Sequence, residues 1–112
     1  MTNELYDTLD WYNNQTSLND SQSHPDADGV LRYVLSARDP GVPNWLDTMG
    51  YARGLVQERW MNCSSSPVPT VRKVPLADIR KYLHPGTRSV SPEERQRVIR
   101  DRRLALQQRS LW

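Results

Sequence analysis

Val30-Leu31-Arg32-Tyr33-Val34-Leu35-Ser36-Ala37-Arg38, closed by Asp39-Pro40-Gly41, is the stretch on which the fold class turns. Leu31, Tyr33, Leu35 and Ala37 fall on one face of an extended chain and Arg32, Ser36 and Arg38 on the other. That period of two, with β-branched and aromatic content, predicts a strand over about 30–38. Pro40 cannot donate to a β-ladder and Pro-Gly is a turn signal, so the strand stops there. Downstream, Val56 and Trp60 share a face with Glu58, which predicts a poorly alternating, edge-like strand over about 55–62. A third strand is expected over about 68–74, where Pro67, Pro69 and Pro75 confine it to an edge.

Two helices are expected next. Leu76, Ile79 and Leu83 recur at helical spacing, with Asp78 ahead of Arg80 and Lys81 as the helix dipole favours, which predicts a short helix over about 76–83. His84-Pro85-Gly86 ends it. Ser91-Pro92-Glu93-Glu94 is a strong start signal, with Ser at the N-cap, Pro at N1 and Glu at N3, and predicts a helix over about 92–108. Its apolar positions are few: Val98, Ile99, Leu104, Ala105 and Leu106, with Leu111 and Trp112 beyond. Upstream, residues 1–29 lack sustained periodicity and end in an Asp28-Gly29 turn. The expected class is α+β: an irregular lead-in (1–29), a β-rich core with a small antiparallel sheet (30–75), and a basic helical segment (76–112).

A chain of 112 residues allows one domain, or a fragment of one. Its lone Cys63 excludes an intrachain disulfide framework and a C-x-x-C site. No apolar run approaches the roughly 18 residues that span a bilayer, and Met1-Thr2-Asn3-Glu4 is acidic where a signal peptide is basic. The expected compartment is therefore the cytoplasm, with no membrane partner. Charge is uneven: residues 1–71 hold four basic and nine acidic side chains, residues 72–112 eleven and four. Either the halves face one another or the basic helix meets a partner.

The loop over 39–54, about 16 residues, exceeds the usual limit of about 12–15 for structureless connections. Trp45, Leu46, Met49 and Tyr51 can anchor it. One reading is a polar-ligand site in which Trp45 is a platform and Asn44, Asp47, Arg59 and Trp60 complete the surface. The other is an ordered corner in which Asn44 and Asp47 satisfy backbone N–H groups while Trp45 plugs the end of the sheet. No catalytic residue is nominated: His24 and His84 each precede proline in turn-like surroundings, and no Ser or Cys stands in a nucleophile setting. Two isolated histidines argue against a metal site, and no cofactor is expected. Arg95, Arg97, Arg100, Arg102, Arg103 and Arg109 could contact phosphates, but Glu93, Glu94 and Asp101 dilute the field and no nucleic-acid motif accompanies them.

The run Arg38-Asp39-Pro40-Gly41-Val42-Pro43-Asn44-Trp45-Leu46-Asp47-Thr48, followed by Gly50, Gly54 and Arg59-Trp60, resembles the C-terminal signature of an uncharacterised bacterial family. Leu9-Asp10-Trp11 and Asn14-Gln15 resemble the approach to it, so the likeness covers roughly residues 9–76. It implies the end of a longer protein whose C-terminal part is β-rich and jelly-roll-like, hence a piece of a larger β-sandwich. It implies no reaction, and Tyr51 stands where many relatives carry His. Few strands with unfilled edges point the same way, since such edges need further strands or another chain. The functional expectation is a non-catalytic binding or assembly module with a protein partner or a second copy. The alternatives are an accessory part of an enzyme using the Asn44-Trp45-Leu46-Asp47 loop and Arg59, and nucleic-acid binding through the basic helix.

Overall fold

Trp45, near the middle of the chain, and the capping box at Ser91, towards its end, organise the molecule. A computed structural model describes residues 1–109; Leu111 and Trp112 lie outside the described residues. Among the described residues four short strands form two sheets: β1 (Thr2–Asn3) pairs antiparallel with β4 (Gly54–Leu55), and β2 (Val34–Ser36) pairs parallel with β3 (Trp45–Asp47). A 3-10 helix spans Leu76–Lys81, and the single α-helix among the described residues, α1, spans Pro92–Gln107. The class is α+β.

The strand expectations need correction. Only Val34–Ser36 of the 30–38 stretch is strand, and its partner is parallel rather than antiparallel. Parallel pairs ordinarily need a crossover of about a dozen residues or more. Strands of three residues relax that demand, because the connection 37–44 at up to about 3.3–3.6 Å per residue easily returns to the start of so short a strand. The loop expected over 39–54 therefore contains a strand of its own. Of the 55–62 stretch only Leu55 is strand, and 68–74 forms none. Alternation there found no neighbouring backbone to pair with, and three prolines remove donors besides.

The helices follow their local chemistry more closely. Ser91 Oγ accepts from the Glu94 N–H at 3.2 Å while Glu94 Oε2 accepts from the Ser91 N–H at 2.9 Å. This reciprocal cap starts α1 at Pro92, as expected. The expected helix over 76–83 is a 3-10 helix of six residues. Its tighter winding aligns residues three apart, and Lys81 Nζ meets Asp78 Oδ1 at 2.6 Å.

The apolar core is small: Leu9, Val34, Val42, Trp45, Leu46, Val90 and Ile99. Gln15 and Thr16, each 1% exposed, are as buried as any apolar residue. The lead-in is thus part of the core, because the Gln15 carbonyl accepts from the Asp47 N–H at 2.9 Å and so lies beside β3. On α1 the buried stripe is Arg95 and Ile99, with Arg102 and Leu106 half-buried, whereas Val98 and Leu104 are exposed.

β1 and β4 approach so closely that a Cβ on Gly54 would collide with the Thr2 carbonyl oxygen. Gly54→Ala is expected to part the two strands. Amide exchange at Leu55 should lose its protection, while the melting temperature falls only slightly, since neither β4 residue is buried.

Candidate binding surface

Asn44, Trp45 and Asp47 sit on or beside β3 with their polar atoms turned to the protein's own backbone. Asn44, 5% exposed, clamps residue 24: its Oδ1 accepts from the His24 N–H at 2.8 Å and its Nδ2 donates to the His24 carbonyl at 2.7 Å. The Trp45 indole N–H donates to the Ser36 carbonyl at 3.0 Å, binding β3 to the end of β2. Asp47 Oδ1 accepts from the Met49 N–H at 2.7 Å, closing an Asx turn around Thr48 that ends on Met49, whose φ is +53°. A carboxylate or amide committed in this way has reduced capacity for a ligand.

Arg59 and Trp60 lie elsewhere, on a stretch where every residue from 49 to 73 is exposed. The structure therefore brings Asn44, Trp45 and Asp47 together and leaves Arg59 and Trp60 out on this arm.

The strongest polar cluster surrounds Arg95. Its guanidinium, 6% exposed for the residue, donates from Nε to Asp39 Oδ2 at 2.8 Å, from Nη1 to Gln15 Oε1 at 2.8 Å, and from Nη2 to the Val42 carbonyl. Its plane carbon stands 5.0 Å from the centre of the Trp45 ring. Gln15 relays the network onward, its Nε2 donating to the carbonyls of Pro43 (3.1 Å) and Trp45 (2.6 Å). Arg95 is thus not a phosphate-facing residue but the clasp between α1 and the β2–β3 layer. The signal was present in its spacing: Arg95, Ile99, Arg102 and Leu106 fall on one helical stripe. Gln15 carried no comparable signal, because its partners lie 28 to 80 residues away.

Arg102 closes the same interface, donating to the Ser17 carbonyl at 2.8 Å. Nearby, Arg32 forks onto Asp26 (2.9 Å) and Asp28 (2.8 Å), and its guanidinium holds the Asp28 carboxyl well below the usual carboxylate range. Thr87 donates to Asp26 at 2.6 Å, bringing the segment after the 3-10 helix onto that pair. The Arg95, Arg102 and Thr87 contacts join the basic and acidic halves of the chain, more through backbone carbonyls than through ion pairs, whereas the Arg32 pairs lie within the acidic half.

Comparison with family models, with curated proteins and with solved structures finds no match to this chain. No helix among the described residues is long and apolar enough to cross a membrane.

Proposed function

We propose that this chain is a non-catalytic assembly module, one end of a larger architecture, whose exposed arm and sheet margins are covered by a second polypeptide or a second copy. One observation carries this reading. A self-contained protein of 13.0 kDa exposes about 6,300 Å², whereas this chain exposes 8641 Å². The excess, about 2,300 Å², is larger than the roughly 800 Å² that each partner contributes to an ordinary interface. Much of it is apolar: Leu5, Tyr6, Met61, Val68 and Val71 are each more than 70% exposed. Isolated exposed apolar residues need no explanation, but a run of them beside unpaired strand edges marks an association surface.

The commitment of Asn44 and Asp47 to backbone groups supports this reading over an enzyme pocket drawn from those residues and Arg59. The resemblance of residues 38–48 to the end of a longer β-rich protein supports it too, and the compartment proposed is the cytoplasm. Light scattering across a wide concentration range tests it, together with a photo-crosslinker attached to Cys63, which is free and exposed. The expected result is a mass above that of one chain, or a single defined adduct, with either weakened by Val68→Asp and Val71→Asp together. A monomer at every concentration that yields no defined adduct in cell extract overturns the proposal.

A further inference from the structure

We infer that residues 56–73 form a processing site for an endopeptidase directed to basic residues, with Arg59–Trp60 as the preferred bond, and that the cut protein stays in one piece. The inference concerns the chain whose arm is not covered by a partner; a partner seated on residues 56–73 would protect the bond. Proteases take their substrates as extended chain, held by backbone hydrogen bonds over several residues on both sides of the bond. A segment already engaged in a helix or sheet must first open, so cleavage concentrates where the backbone is exposed and unpaired.

Residues 57–74 join in no backbone–backbone hydrogen bond with any described residue, and every residue of 56–73 is exposed. Three basic side chains stand on it: Arg59, Arg72 and Lys73. They are not equivalent. The Arg72 guanidinium lies 5.5 Å from the centre of the Tyr82 ring, and Val74 and Leu76 just beyond are half-buried. Pro69 and Pro75 stiffen the chain on both sides of that pair and withhold donors. Around Arg59, residues 56–63 are exposed throughout and contain no proline. Hydrolysis there adds one water across the Arg59–Trp60 amide, leaving a carboxylate on Arg59 and an ammonium on Trp60; the protease supplies the catalysis and solvent the water.

The pieces on either side of the cut are held by contacts that do not pass through the arm. Val90 N–H donates to the Gly41 carbonyl at 2.9 Å, Arg80 donates to the same carbonyl at 2.9 Å, and the Arg95 and Arg102 contacts add to these. A nick would thus free two new ends on the surface without dissolving the core.

Limited digestion of the full chain with dilute trypsin, read by intact mass and by size-exclusion chromatography, tests both parts. The expected first products end at Arg59 and begin at Trp60, and they elute together with the far-ultraviolet dichroism of the uncut chain. In R59Q the first cut should slow severalfold, and subtilisin, indifferent to basic residues, should still cut first within 56–73. A first tryptic cut at Arg72 or Lys73 overturns the choice of bond. One at Arg53 or before, or in α1 at Arg97, Arg100 or Arg103, overturns the site. Separation of the halves after cutting overturns the second part.

Discussion

Replacing Arg95 by methionine is expected to lower the melting temperature by on the order of 10–20 °C, the largest effect of any substitution on α1. Removing one member of a buried, hydrogen-bonded charge network typically costs about 3–5 kcal/mol, because its partners remain buried and unpaired. Here those partners are Gln15 Oε1 and the Val42 carbonyl, both buried, and Asp39, whose side chain is 32% exposed and can regain water. The partial exposure of Asp39 places the cost near the lower end, about 3 kcal/mol. A domain of this size shifts its midpoint by several degrees per kcal/mol, from a total stability of about 5–15 kcal/mol. Arg97→Met, two residues along on the exposed face, is the control and should stay within about 0.5 kcal/mol of the parent. Asp39→Asn should fall between them, since an amide oxygen can still accept from Nε. If Arg95→Met melts with the parent, the guanidinium is not what holds α1 to the sheet layer.

The contrast between what was legible in the sequence and what was not follows the range of the interactions. Ser91-Pro92-Glu93-Glu94 could be read correctly because a capping box is complete within four residues and needs no tertiary partner. The turn after Arg38 could be read for the same reason, with Asp39 Oδ1 accepting from the Gly41 N–H at 2.8 Å and Gly41 at φ +67°. Strands are a different matter. Alternation at 55–62 and 68–74 expresses a preference for a pleated, half-buried surface, and that preference is empty unless another strand lies alongside. At Val34–Ser36 one did, supplied by a tryptophan strand inside what looked like loop. The burial of Gln15 and Arg95 was least legible of all. Polar residues enter a core only when their donors and acceptors are met, and here each is met by groups distant along the chain. A domain with few apolar residues has in effect built part of its interior from an amide, a guanidinium and carbonyls.

Trp45→Ala is the second large effect and separates the two tryptophans that had appeared together as ligand-facing candidates. Trp45 is 7% exposed, and truncating a buried tryptophan typically costs about 3–5 kcal/mol through lost burial and the cavity left behind. Two specific losses add to that: the Ser36 carbonyl keeps the Thr48 N–H but loses its indole donor, and the Arg95 guanidinium loses the ring beneath it. Trp45→Phe isolates the first of these, since it keeps an aromatic face; it should cost about 0.5–1.5 kcal/mol, the net value of one hydrogen bond, because the Ser36 carbonyl still accepts from the Thr48 N–H at 3.2 Å. Trp60→Ala removes an indole that is 44% exposed, and should change stability by no more than about 0.5 kcal/mol. The measurement is urea unfolding of the three variants on one preparation scale, with the slope compared as well as the midpoint. The association state should respond in the opposite order. On the proposed assembly, Trp60→Ala is expected to weaken association in a folded chain, whereas Trp45→Ala is expected to act on association only by unfolding it. A Trp60→Ala variant that unfolds as readily as Trp45→Ala would place the arm inside the fold, and the surface offered to a partner would then have to be sought elsewhere.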